Sequence, residues 1–180
     1  KGWNVERLDT RRPRVYQRVA DILWNVDWAT AQYGLFRADA LRRTRLVDRF
    51  FAADYVLLLE LAILGEIWEI PEVLFQKRYH SGTSTGVNKT QTEFIQWFDP
   101  SQKARRSLFP GMKLALVPRS RLGFEYVRSI LRMDLAAQER FFCLCTVVLI
   151  WSIRESKRLW REYYYRTGSK LRKIFCDGRK

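Results

Sequence analysis

Asp54, in the run Ala52-Ala53-Asp54-Tyr55, and His80, the chain's only histidine, are the side chains best suited by type to do chemistry, and twenty-six positions separate them. A carboxylate opening an apolar helix is a candidate general base, able to take a proton from a hydroxyl within hydrogen-bond reach. An imidazole at the end of an extended run is a candidate ligand for a divalent metal ion or a contact for a phosphate. Arg78 precedes His80 by two residues and in an extended chain shares its face, so the pair could hold a diphosphate. Gly34, between an extended segment and a short helix, would let a ligand approach the backbone closely. Each has a plainer alternative: a helix N-terminal cap for Asp54, a surface histidine for His80 and an ordinary turn for Gly34.

These groups need elements to bring them together, and the sequence predicts a mixed α/β arrangement. Arg11-Arg12-Pro13-Arg14 breaks any early helix, and Val15 to Trp24 then has helical apolar spacing. Trp28 to Phe36 reads as a strand and turn around Gly34, followed by a short helix over Arg37 to Arg43. From Ala53 to Leu64 the chain is apolar on nearly every side, which predicts a buried helix with Asp54 in its first turn and Gly65 as its stop. Glu66 to Ile70 alternates like a half-exposed strand, and Val73 to Tyr79 resumes the extended pattern after Pro71. Ser81 to Gly86 is small and polar, a loop able to close over a ligand beside His80. Thr92 to Phe98 can form a short helix, and Arg121 to Met133 and Leu135 to Tyr165 two longer ones. The expected organisation is a linker and short helix over 1–27, an α/β unit over 28–90 and a mainly helical region over 91–180.

Composition bounds the partners. The chain has 180 residues, 47% of them hydrophobic, so a packed core is expected; 33 basic against 19 acidic side chains leave a net charge of +14. Such a field attracts polyanions. Cys143, Cys145 and Cys176 form neither a disulfide framework nor a zinc pattern, which fits a reducing, cytoplasmic setting. The chain opens on Lys1 without the apolar core of a signal peptide, and is expected to be a processed or partial piece. Phe141 to Ile153 is nearly all apolar, but thirteen residues fall short of the roughly 20 that span a bilayer. Lys and Arg among Trp151, Trp160 and Tyr163 to Tyr165 resemble a basic, aromatic surface of the kind that docks on membranes, with a solvated helix face as the plainer alternative.

Taken in order, Asp27-Trp28, Tyr33-Gly34-Leu35-Phe36-Arg37-Ala38-Asp39-Ala40-Leu41-Arg42-Arg43-Thr44, Ala53-Asp54-Tyr55 through Gly65, and Ile70-Pro71-Glu72 through His80 resemble the C-terminal half of a GT-A-type glycosyltransferase of family 2, over about a third of the chain. The resemblance implies transfer of a sugar, with inversion, from a nucleotide-sugar donor to an acceptor hydroxyl. It gives Asp54 the role of base, places Trp28, Gly34 and Arg78 on the substrate side, and gives His80 a part in holding a divalent ion, Mg or Mn, at the leaving diphosphate. Ala53 stands where an acidic residue often precedes the Asp, and no Asp-x-Asp motif occurs before Trp28, so the remaining metal ligands are expected elsewhere. The lack of Gln-x-x-Arg-Trp implies single transfer rather than processive synthesis. The alternative is a non-catalytic basic module that binds an anionic membrane surface, at the inner face of the membrane, through residues 121–180. No nucleic-acid-binding motif is present, and nucleic acid is not expected as a partner.

Overall fold

The computed structural model describes residues 6–50, 52–76, 80, 82–83, 87, 93 and 117–177. Arg14 stays extended, and α1 follows over Val15–Asn25, its first turn fixed by the Gln17 side-chain oxygen accepting the Arg14 N–H at 3.3 Å. Val19, Ile22, Leu23 and Val26 bury one stripe, the i, i+3, i+4, i+7 spacing of an amphipathic helix. A single 3₁₀ turn covers Thr30–Tyr33, and the short α2 covers Ala38–Arg42.

The central element is α3, Ala53–Leu64, buried from Val56 to Ile63. Its C-terminal carbonyls do not rely on a left-handed glycine. Gly65 is extended (φ −173°) and donates to the Leu61 carbonyl at 2.9 Å, while the Arg18 guanidinium from α1 donates to the carbonyls of Ala62 (2.7 Å) and Ile63 (3.2 Å). A cation at that end also complements the helix dipole. Two longer helices follow, α4 over Val117–Arg132 and α5 over Ala137–Asp177. Helix α1 packs on α3 and α5, and α4 packs on the same two, so four helices close a ring around one core. Leu58, Leu59, Ile130, Val147 and Cys143 lie at its centre. Burial and the charge of Glu139 push the Cys143 thiol up to about 11, so it behaves as a small apolar group. Where α4 meets α5, Gly123 leaves room for the Trp151 indole; a Cβ there would lie 3.0 Å from the ring.

The expectation of an α/β, GT-A-like segment is therefore overturned: among the described residues there is no strand, and the fold is helical. Trp28 to Phe36, expected as a strand, coils into the 3₁₀ turn because the backbone amides of Asp27, Trp28, Ala29 and Thr30 all donate to the Glu6 carboxylate, leaving none for a ladder. Ala29 enters this turn with left-handed φ of 51°. Without that strand, Glu66 to Ile70 has no sheet edge to join. Ile67 accepts from the Thr10 amide at 2.8 Å, but its own N–H goes to the Thr10 side-chain oxygen, also at 2.8 Å, which ends the pairing after one residue. The described part of the second expected strand, 73–76, is likewise without strand structure, and the helix expected over Thr92 to Phe98 lies outside the described residues apart from Glu93, which is helical.

Candidate functional site

The end of the molecule where α3 begins gathers most of the predicted groups. Ala52, in left-handed conformation with φ of 66°, starts the helix, so Asp54 is not the cap but the second helical residue. Its carboxylate is half-buried. One oxygen accepts the Tyr55 amide at 3.1 Å and the other accepts from the Gln32 side-chain amide at 3.3 Å. The positive end of α3 further favours negative charge there.

Gln32 belongs to the 3₁₀ turn, which packs against α3 and carries the other two predicted residues at its ends. Gly34 closes the turn, donating to the Ala31 carbonyl at 3.0 Å. Its φ is −74°, so left-handed freedom is unused; instead a Cβ would crowd the Ala31 oxygen at 3.1 Å. Trp28 precedes the turn, its amide 2.7 Å from Glu6 and the residue 46% exposed. Tyr33 stacks on Phe75 at 4.8 Å between ring centroids, tying the run that leads toward His80 to the same turn.

Glu6 organises this end. Besides the four amides it accepts from the Thr30 hydroxyl in a short contact. Burial opposes its ionisation, but the Thr30 hydroxyl and the amides of Trp28, Thr30 and Asp27 outweigh that and hold the carboxyl below its ordinary range. The Tyr55 hydroxyl donates to the Asp27 carbonyl, and Arg154 from α5 donates to the Leu23 carbonyl and, at 3.2 Å, to the Asp27 carboxylate. Burial, helped by the charges of Asp54, Glu6 and Asp27, pushes the Tyr55 phenol up to about 12, so it remains a donor at any physiological pH.

His80 is exposed, and its Nδ1 accepts the Gly82 amide at 3.1 Å while its carbonyl accepts from Thr83. A neutral ring accepting at Nδ1 carries its proton on Nε2. That outward N–H suits donation to a phosphate oxygen; ligation of a metal through Nε2 would move the proton to Nδ1 and break the Gly82 bond. Among the described residues no group of three His, Cys, Asp or Glu is placed to hold a metal ion. Arg78 lies outside the described residues.

A second cluster, unforeseen from the sequence, lies in the core. Arg45 donates its backbone N–H (2.7 Å) and Nε (2.9 Å) to Glu60, Nη1 to Glu125 (2.6 Å) and Nη2 to Ser129 (2.8 Å), and Ser129 donates to Glu60 at 2.7 Å. Glu60 is fully buried. Burial opposes the Arg45 charge, but Glu125 and Glu60 more than restore it and raise its pKa. Every partner is engaged, so this cluster joins α3, α4 and the 43–52 segment rather than offering a reactive group. One charged residue inside the apolar run Val56 to Ile63 is the signal that could have revealed it; Glu6 and Gln32 carry no comparable signal.

The chain matches no family model, no curated protein and no solved structure. No helix among the described residues is long and apolar enough to cross a membrane.

Proposed function

We propose that this chain is a catalytic portion of an inverting glycosyltransferase that moves one sugar from a nucleotide-sugar donor to an acceptor hydroxyl, with Asp54 as the base. The observation that carries this reading is the half-buried Asp54 carboxylate at the N-terminus of α3, oriented by Gln32 and flanked by the turn that bears Trp28 and Gly34. A base must be reachable yet fixed, and the half-burial of this carboxylate together with its Gln32 bond supports that role. Gln32 holds one oxygen, Trp28 presents an exposed ring on which a sugar face can lie, and Tyr55 pins the 27–30 backbone beside the acid. In the proposed step Asp54 takes the acceptor proton as the oxygen attacks the anomeric carbon opposite the departing nucleoside diphosphate. A divalent ion, Mg or Mn, would supply charge neutralisation at the diphosphate when bound. The described residues do not form its ligand set, and the His80 Nε2–H is better suited to a phosphate oxygen.

The test is release of nucleoside diphosphate from a panel of uridine, guanosine and thymidine diphosphate sugars by the full open reading frame that encodes this chain. Asp54→Asn is expected to lower turnover by about 10²–10⁴-fold. Turnover left undiminished in that variant would remove Asp54 from the chemistry and the reading with it.

A further inference from the structure

The outer surface of α4 and α5 does not match its inner one. From Phe141 to Ile153 helix α5 carries no charge, yet only Cys143, Val147 and Ile150 of that stretch are buried, while Phe141 and Leu149 are each 62% exposed and Val148 57%. A helix apolar all round is ordinarily covered all round. On α4, Phe124 and Leu131 are 63% and 56% exposed. The two helices adjoin: Gly123 and Tyr126 of α4 meet Trp151 of α5, Val148 lies one turn before Trp151, and Phe124 and Leu131, seven residues apart, share one stripe of α4.

Charge says what covers this face. From residue 121 on, helix α4 carries Arg121, Arg128 and Arg132 against the single acid Glu125. That acid already receives Arg45 at 2.6 Å, and Arg121 and Arg128 stand at 3.9 and 3.6 Å, sharing the same carboxylate. One negative charge among three guanidiniums leaves the α4 surface net positive, on a chain whose total is +14. A second copy would bring arginines against arginines. An anionic surface with an apolar interior satisfies both features at once.

We infer that the α4–α5 outer face docks on an anionic lipid bilayer, with Phe124, Phe141, Val148 and Leu149 entering the boundary below the headgroups and Arg121 and Arg128 at the lipid phosphates. The helices lie in the interface; none crosses it. This inference is independent of Asp54, which sits at the start of α3.

Co-sedimentation with phosphatidylcholine vesicles, with and without about 30% phosphatidylglycerol, tests it. The chain is expected to partition onto the anionic vesicles alone and to be released as salt rises from about 0.05 to about 0.5 M. Phe141→Asp with Leu149→Asp should cut partitioning at least about tenfold at an unchanged melting temperature, and Arg128→Ala, which leaves the core intact, about fivefold. Asp54→Asn should bind like the parent. Failure of the parent to sediment with anionic vesicles, equal binding by the double variant, or concentration-dependent self-association that the double variant abolishes would each overturn the inference and leave the transfer reading untouched.

Discussion

Helix α3 holds two acids, Asp54 and Glu60, six residues and about 9 Å apart along its axis, in opposite surroundings. Glu60 is fully buried and accepts three hydrogen bonds from Arg45 and Ser129. Asp54 is half-exposed and accepts from the Tyr55 backbone amide at 3.1 Å and the Gln32 side-chain amide at 3.3 Å, both neutral donors. What differs is the environment and not the residue type. A carboxylate surrounded by matched donors inside the core is fixed in one role, whereas one that is half-exposed at a helix N-terminus stays within reach of solvent.

The sharpest way to break that contrast is to remove Glu60. Glu60→Ala leaves Arg45 inside the core with Glu125 alone and strips Ser129 of its acceptor. Removing one member of a buried ion pair costs about 3–5 kcal/mol, and urea denaturation should show a loss of that size. A loss under about 1 kcal/mol would mean that the cluster is not a structural lock, and that burial fails to separate the two acids.

How far such distinctions were legible in the sequence depended on the kind of signal. The helix over Val15–Asn25 is legible because apolar spacing records which face is buried, and that over Ala53–Leu64 because a long apolar run ends at Gly65; the two long C-terminal helices are legible too, although the first begins four residues before the expected Arg121. The strands were misread because alternation, as in Glu66 to Ile70, records exposure only and says nothing about a partner edge. That edge is lost to Glu6, some twenty residues upstream, which takes the amides of 27–30. Gly65 was readable as a stop but not for its reason, since Arg18 caps the carbonyls from another helix. At the site, Asp54 and the Trp28 and Gly34 turn do share one end of the molecule. Gln32, which orients the acid, follows no spacing rule and became visible only in three dimensions.

A smaller effect is expected at Glu6, the acid that shapes the open end. Its carboxyl lies below the ordinary range in the folded chain, so its contribution is fully present above the unfolded glutamate value of about 4.3 and disappears as pH falls through the lower, folded value. Glu6→Gln keeps one acceptor oxygen and loses the charge. The group is partly exposed, so the cost at neutral pH should be about 1 kcal/mol. Denaturation midpoints of the two proteins should therefore converge on acidification. A gap that persists unchanged at low pH would show that geometry rather than ionisation holds the 27–30 turn.

The smallest stability effect belongs to Asp54. Asn at this position can still accept the Tyr55 amide through its side-chain oxygen at nearly constant volume, and what is lost is mainly the interaction of a charge with the start of α3, about 0.5–1 kcal/mol. The Asp54→Asn denaturation curve should therefore lie close to that of the parent while the proposed transfer is lost. A cost approaching that of Glu60→Ala would make Asp54 another structural acid, because a carboxylate already bound that strongly in the folded ground state has little left to offer an approaching hydroxyl.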